Sequence, residues 1–209
     1  MTNSIDETIQ RTKRYWYVDG LNEMATGSIL LLVAGLYWLL DRFSGPLSAL
    51  GVGLGVPLII LAGGRLMSRV VRALKERITY PRTGYVTYRR PQHGRRRALI
   101  VMGVSAAISA LLIVLVLPYL NRSWMTVFIS AFAAFFMGYL GYQIGMLRFY
   151  LMGAASLALG VAAALLPISD LMQIAAYLGG FGLAWIVSGG TTLWRYLLQT
   201  RPLAEGEQS

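Results

Sequence analysis

Cysteine is absent from this 209-residue chain, histidine occurs once, and charged residues make up only 13% of the sequence. Without cysteine there is no disulfide framework, no thiolate nucleophile and no cysteine-ligated metal site. The single histidine, His93, excludes a bis-histidine haem site and has no companion ligands for a metal. A hydrophobic content of 56% leaves too little polar surface for a water-exposed globule. The composition therefore predicts an integral membrane protein, and we expect no cofactor.

Ionisable residues are also missing from the centre of every long apolar stretch. Charges buried in a bilayer typically mark proton relays, ion pathways or voltage sensors, so their absence argues against a proton-coupled pump or an ion-coupled carrier. Hydrolysis within the membrane needs a base beside a nucleophile, or a metal held by several ligands. The serines of these stretches have no titratable partner at that depth. We therefore expect no catalytic residues and a protein that is not an enzyme.

Six apolar segments approach the ~20 residues that a helix needs to cross the ~30 Å hydrocarbon layer of a bilayer. Charged residues, prolines and glycines separate them. The pattern predicts an all-α integral membrane fold, a bundle of six transmembrane helices arranged as three helical hairpins. The predicted spans are Leu21–Leu40, Pro46–Met67, Ala98–Leu117, Trp124–Tyr142, Leu147–Leu166 and Leu171–Leu198. The last is longer than the hydrocarbon layer, so it has to tilt, bend or leave the membrane near its end.

These spans divide the chain into six regions. A polar, amphipathic segment, residues 1–20, precedes the first hairpin. An arginine-rich loop separates the first two hairpins, and a short tail follows the third. The hairpins cover residues 21–67, 98–146 and 147–198, the loop 68–97 and the tail 199–209.

The whole formal charge of +10 sits in one segment, between Arg65 and Arg97. Eleven basic residues face a single acid there, Glu76, while eight basic and eight acidic residues balance elsewhere. Positive charge retains a loop on the cytoplasmic side of a membrane. With this loop in the cytoplasm, seventeen basic residues lie on that side and only Arg42 and Arg122 on the other. The charge distribution predicts that both termini are cytoplasmic.

The basic segment has two parts with different patterns. From Arg65 to Ile78, apolar residues recur every four positions beside a stripe of arginines. This spacing predicts that the second span continues as an amphipathic helix into the membrane interface. In residues 79–88, Pro81 and Gly84 bracket a turn between β-favouring Tyr, Thr and Val, which predicts a short β-hairpin-like structure in the cytoplasmic loop.

Nearly every basic residue of this segment is arginine, whose planar guanidinium pairs bidentately with phosphate. Anionic lipid headgroups are the nearest phosphates, and each arginine held near an acidic leaflet contributes about 1 kcal/mol. Membrane topology alone also favours such charge, and an acidic protein is a further candidate partner, whereas we expect no binding to nucleic acid. The candidate contact residues are Arg65, Arg69, Arg72, Arg82, Arg89, Arg90, Arg95, Arg96 and Arg97.

Glycines recur within the spans, where small residues let helix backbones approach closely in lipid. At a fixed offset of 126 residues, four glycines of the first hairpin coincide with four of the third, either through duplication or by chance. The pattern predicts a tightly packed bundle and allows a homo-oligomer. The candidate packing residues are Gly53, Gly63, Gly64, Gly179, Gly189 and Gly190.

Two strings of the sequence resemble a known group of proteins. The string LKERITYPRTGYVTYRR, from Leu74 to Arg90, resembles a basic cytoplasmic loop of uncharacterised bacterial multi-pass membrane proteins. The string YWYVDGLNEM, from Tyr15 to Met24, is similar to the segment that precedes their first span. The resemblance implies a multi-pass protein of the bacterial cytoplasmic (inner) membrane. No established activity, cofactor or site comes with that group, so the resemblance implies no mechanism.

Together these features predict a non-enzymatic multi-pass membrane protein whose arginine-rich cytoplasmic loop contacts anionic lipid or a partner protein. The alternative is a membrane-embedded solute-binding or transport component, in which glycine-rich helices hold a small neutral or lipophilic solute.

Overall fold

The computed structural model of the chain describes residues 19–43, 45–78 and 124–199, and these residues form five α-helices without a strand. All five helices are long and apolar enough to cross a membrane. The coarser prediction, an all-helical membrane protein, is therefore confirmed for this part of the chain. The helices are α1 (Leu21–Leu40), α2 (Pro46–Ile78), α3 (Trp124–Ile144), α4 (Leu147–Ala164) and α5 (Asp170–Gln199).

Glycines in the left-handed conformation separate the helices at three places. Gly20, with φ of 68°, precedes α1, and Gly45, with φ of 81°, ends the turn between α1 and α2. Gly145, with φ of 68°, reverses the chain between α3 and α4. Side chains other than glycine rarely adopt these angles, so Gly20 favours the start of α1 there, and Gly45 and Gly145 favour the two turns between helices.

Two helices are much longer than the ~30 Å hydrocarbon layer. The 33 residues of α2 and the 30 residues of α5 correspond to about 50 Å and 45 Å at 1.5 Å per residue. Residues 68–78, the first part of the predicted arginine-rich loop, belong to α2, as the four-residue recurrence of apolar side chains indicated. Helix α5 likewise continues without a break past Gly189 and Gly190.

Several predictions lie outside the described residues. They are the third span, Ala98–Leu117, the hairpin-like structure in residues 79–88, most of the segment 1–20 and the tail beyond residue 199.

Helix α5 occupies the centre of the described bundle and packs against α1, α3 and α4. Its contact with α1 is the closest: a Cβ atom added to Gly27 would lie 2.6 Å from the carbonyl oxygen of Gly182. A Cβ added to Gly182 would in turn lie 2.9 Å from the carbonyl oxygen of Gly27. The two backbones therefore touch, which is how small residues stabilise helix pairs in lipid.

Large side chains fill the space between α3, α4 and α5. Tyr177, Phe181 and Trp185 recur every four residues on one buried face of α5. The rings of Tyr177 and Phe181 stack with centroids 5.8 Å apart, and Phe149 of α4 lies 6.1 Å from Trp185. Such ring pairs contribute about 0.5–1.5 kcal/mol beyond their buried area. Helix α2 contributes no residue to this core. None of the residues in its most apolar stretch is buried, and it packs mainly on α1.

Contacts between helices assign their ends to two sides of the bundle. Lys75 near the end of α2, Arg148 at the start of α4 and the last turns of α5 lie beside the start of α1. We call this side the basic end. At the other side, which we call the opposite end, the end of α1 and the starts of α2, α3 and α5 surround one cleft.

Candidate functional site

Two buried ion pairs lie at the basic end. The Lys75 Nζ atom is 3.1 Å from Oδ2 of Asp19, and their side chains are 6% and 1% exposed. The Arg148 Nη2 atom is 2.9 Å from Oε1 of Glu23, whose side chain is also 1% exposed. We call these four residues the ion-pair cluster. Its two positive and two negative charges cancel, and Arg148 is the most exposed of the four side chains, at 22%.

Hydrogen bonds complete the surroundings of the cluster. The Ser188 hydroxyl donates to Oε2 of Glu23 over 3.2 Å, and Nη1 of Arg148 donates to the Thr192 hydroxyl oxygen over 2.9 Å. The backbone N–H of Leu21 donates to Oδ1 of Asp19 over 3.3 Å. Hydrogen bonds of this kind offset part of the cost of removing the charges from water. The cluster thus joins α1, α2, α4 and α5.

Close backbone contact explains why these side chains meet. Gly189 lies between Ser188 and Thr192 on α5, and a Cβ atom added to it would lie 2.6 Å from the carbonyl oxygen of Gly20. The absence of both side chains lets α5 approach the start of α1. That approach brings Ser188 within hydrogen-bond distance of Glu23.

The part of the predicted lipid-contact set that the structure describes lies on the last turns of α2. Arg65, Arg69 and Arg72 are all exposed, and at 100° per residue they fall within an arc of about 60°. Arg82, Arg89, Arg90, Arg95, Arg96 and Arg97 lie outside the described residues.

An exposed apolar stripe, formed by Leu66, Val70 and Leu74, runs along another side of the same turns. Val71 and Lys75 point inward and are buried. The end of α2 therefore has an inward side, an apolar outward side and a basic outward side. The single lysine of the basic segment belongs to the ion-pair cluster, whereas Arg65, Arg69 and Arg72 are exposed.

The predicted packing glycines differ in what surrounds them. Gly189 makes the close contact with Gly20, while added Cβ atoms at Gly63 and Gly179 would make ordinary contacts at 3.5 Å and 3.8 Å. Cβ atoms at three others would meet no atom of a described residue within 4 Å, so the role predicted for them is not seen between the described helices. These three are Gly53, Gly64 and Gly190.

A hydrogen-bonded group of side chains lies between the two ends. The hydroxyls of Ser156 and Tyr177 are 2.8 Å apart, and Ser156 also donates to the carbonyl oxygen of Ser130 over 3.1 Å. All three residues are buried, and they join α3, α4 and α5. Among the described residues, no group of three or more histidine, cysteine, aspartate or glutamate side chains is placed to hold a metal ion.

The ion-pair cluster was not predicted from the sequence. The charges near the inner ends of the spans were only counted toward the net charge, and pairing between them was not considered. One signal was present. Glu23 is the third residue of a predicted span and Arg148 the second residue of another, so the two charges are expected at similar depth. Nothing in the sequence, however, says that those two helices are neighbours.

No protein-family model, curated protein or solved structure matches this chain.

Proposed function

We propose that this chain is a non-enzymatic multi-pass protein of a bacterial inner membrane whose arginine-rich segment binds the phosphates of anionic lipid headgroups. The observation that carries the proposal is the end of α2. There, Arg65, Arg69 and Arg72 form an exposed basic stripe beside the exposed apolar stripe of Leu66, Val70 and Leu74. A helix with this pattern lies with its apolar side in the acyl region and its basic side at the headgroups.

The ion-pair cluster supports this orientation. It holds Lys75 against Asp19, so the helix end cannot rotate freely and the basic stripe stays on the outward side. Arginine keeps its charge in any environment and pairs bidentately with phosphate. With about 1 kcal/mol for each arginine near an acidic leaflet, the three described arginines together favour anionic over neutral lipid by up to ~3 kcal/mol.

Six spans with both termini in the cytoplasm complete the proposal. Helix α2 ends at the basic end, but α3 begins at the opposite end. This arrangement supports an odd number of membrane crossings by the chain between them. Residues 79–123 contain one apolar run long enough for a span, Ala98–Leu117. One crossing there gives six spans in three hairpins. The seventeen basic residues on one side of the membrane, compared with two on the other, support placing both termini in the cytoplasm.

Single cysteines test this topology without background labelling, because the chain has none of its own. A membrane-impermeant maleimide should label Phe43→Cys and Trp124→Cys in intact cells, since both residues are exposed at the opposite end. It should label Arg72→Cys and Tyr142→Cys only after the cells are permeabilised. Labelling of Arg72→Cys and Trp124→Cys from the same side would contradict a span at Ala98–Leu117.

Lipid binding is tested by the triple variant Arg65→Gln, Arg69→Gln, Arg72→Gln. The protein is reconstituted with equal amounts of phosphatidylglycerol and phosphatidylcholine, purified in mild detergent, and its bound lipids are measured by mass spectrometry. We expect enrichment of phosphatidylglycerol on the original protein and a several-fold smaller enrichment on the triple variant. Arg42→Gln, an exposed arginine of the opposite end, is the control and should behave like the original protein.

Equal enrichment on the triple variant and the original protein would contradict lipid binding by this stripe. If the triple variant instead loses a copurifying acidic protein and keeps its lipids, the partner is that protein and the lipid proposal is wrong.

A further inference from the structure

Helix α2 contains a proline in its interior, Pro57, the twelfth of its 33 residues. Proline has no backbone N–H, so it cannot donate the helical hydrogen bond that the carbonyl oxygen four residues earlier would accept. That carbonyl belongs to Gly53, and Gly51 and Gly55 lie on either side of it. Sharp bends in helices occur mostly at prolines and at glycines. Residues 51–57, which we call the hinge segment, are therefore the part of α2 that bends most easily.

The two parts of α2 on either side of Pro57 are held differently. After the proline, the helix is fixed to the start of α1, because Nζ of Lys75 lies 3.1 Å from Oδ2 of Asp19 and both side chains are buried. Val71, one turn earlier on the same side, is buried as well. Before the proline, no described side chain of α2 is buried. One part of the helix is thus anchored in the bundle, and the other lies on its surface.

The hinge segment contacts α1 through flexible groups. A Cβ atom added to Gly51 would first meet the end of the Leu40 side chain. One added to Gly55 would first meet the end of the Leu36 side chain. This differs from the contact between α1 and α5, where an added Cβ meets backbone atoms. The first part of α2 can therefore change its angle to α1 when these two leucines change rotamer, without separating two backbones in contact.

This first part of α2 forms one wall of the cleft at the opposite end. The cleft has a volume of about 800 Å³, which corresponds to a width of about 9 Å, and it lies between this wall and the starts of α3 and α5. A bend of about 20° at Pro57 moves the start of α2, about 16 Å away along the helix, by about 6 Å. Such a displacement is comparable with the width of the cleft. The described residues of the wall are Ser48, Ala49, Val52 and Gly53.

We propose that α2 bends at the hinge segment and that its first three turns open and close the cleft. The ion pair between Lys75 and Asp19 holds the rest of the helix on α1, so the motion is confined to the part before Pro57. Collective hinge motions of this kind occur in microseconds to milliseconds. The inference stands independently of lipid binding, because the basic stripe lies on the anchored part of α2.

Pairs of spin labels on single cysteines measure this motion in the full-length protein, which has no cysteine of its own. The cleft pair, Leu47→Cys with Trp124→Cys, joins the first part of α2 to the start of α3, and both residues are exposed. The reference pair, Leu66→Cys with Tyr142→Cys, joins the anchored part of α2 to the end of α3, also at exposed residues. Distances are measured by pulsed electron paramagnetic resonance in frozen vesicles of phosphatidylglycerol and phosphatidylcholine. We expect the distance distribution of the cleft pair to be about twofold broader than that of the reference pair.

Substitutions in α2 then test the hinge itself. Pro57→Ala supplies the missing N–H and should narrow the distribution of the cleft pair to about the width of the reference pair. Gly53→Ala should narrow it as well, because alanine restricts the backbone and its Cβ would meet no described atom within 4 Å. Pro46→Ala is the matched control. Pro46 is the first residue of α2, where a proline removes no helical hydrogen bond, so both distributions should stay as in the original protein.

Three results would overturn the proposal. The first is a cleft pair as narrow as the reference pair in the original protein. The second is a cleft pair whose width neither Pro57→Ala nor Gly53→Ala reduces. The third is equal broadening of both pairs, since the whole helix would then move and no bend at Pro57 would be needed.

Discussion

The two ends of the bundle use acidic residues in opposite ways. At the basic end, Asp19 and Glu23 are withdrawn from solvent and each is paired with a cation. At the opposite end, Asp41 and Asp170 line a cleft, and Asp41 accepts a hydrogen bond from the Ser169 hydroxyl. The difference teaches that an acid near a membrane boundary has no single meaning. Where a base lies at the same depth on an adjacent helix, the acid joins two helices, whereas the acids of the opposite end border a cleft.

The largest expected effect comes from breaking one ion pair. Glu23→Gln leaves the Arg148 guanidinium without its anion, and loss of one partner of a buried pair typically costs about 3–5 kcal/mol. We therefore expect a strong fall in the thermal unfolding midpoint of the detergent-purified protein, followed by circular dichroism. The double variant Glu23→Gln, Arg148→Met should recover part of the loss, because no unpaired charge remains. A double variant as unstable as the sum of the two single variants would contradict direct pairing.

Adjacent glycines on α5 provide the next test of how the basic end closes. In Gly189→Ala the new Cβ would lie 2.6 Å from the carbonyl oxygen of Gly20, so the backbones must separate, and overpacking of this kind costs about 1–3 kcal/mol. Gly190→Ala meets no described atom within 4 Å and should instead stabilise the helix by up to ~1 kcal/mol. Unfolding midpoints should therefore shift in opposite directions. Equal shifts would show that the contact between α1 and α5 is not as close as described.

A smaller effect is expected midway between the ends. Tyr177→Phe removes the hydroxyl that lies 2.8 Å from Ser156 and leaves the ring in place. Hydrogen bonds between membrane helices contribute about 0.6 kcal/mol on average and up to ~1.7 kcal/mol. The unfolding midpoint should fall by a few degrees, whereas Tyr142→Phe, at an exposed position, should leave it unchanged. If Tyr177→Phe lowered the unfolding midpoint as much as Glu23→Gln does, the neutral hydrogen bond would contribute as much stability as the ion pair, which would contradict this prediction.

The smallest effect on stability is expected at the opposite end itself. Asp41→Asn keeps a hydrogen-bond acceptor for Ser169 and removes the charge of a side chain that is only partly buried. We expect a change below about 1 kcal/mol, as for most exposed charges. Comparison with Glu23→Gln at equal protein and detergent concentrations measures the contrast between the two ends directly. If Asp41→Asn destabilises the protein as much as Glu23→Gln, the cleft acid is structural, and the comparison fails.

The sequence predicted helices well where apolar runs end abruptly at polar residues. Helix α1 begins and ends at the predicted residues because Gly20 precedes it and Asp41 follows it. The continuation of α2 to Ile78 was also predicted, since apolar side chains recur every four positions there. Helix boundaries and the spacing of apolar residues are local properties of the sequence. Because a segment in lipid has to satisfy its own backbone hydrogen bonds, such properties are enough to predict a single helix.

Contacts between helices were less predictable. Gly189 and Gly190 are identical in the sequence, but 100° of rotation puts one against Gly20 and leaves the other without a described neighbour. Likewise, Glu23 and Arg148 become partners only because α1 and α4 both pack against α5. Hydropathy gives the depth of each residue but carries no information on which helices are adjacent, so both the ion-pair cluster and the cleft required the structure.

The pairing of Glu23 with Arg148 has a consequence for the newly made chain. Arg148 follows Glu23 by 125 positions, so at about 5–20 residues per second a ribosome needs about 6–25 s between the two residues. During that interval the first hairpin is already available for insertion, but the Glu23 carboxylate has no guanidinium to meet. Until α4 arrives, we expect the start of α1 to stay at the water boundary. The final depth of the first helix is therefore reached late, when the last hairpin is in place.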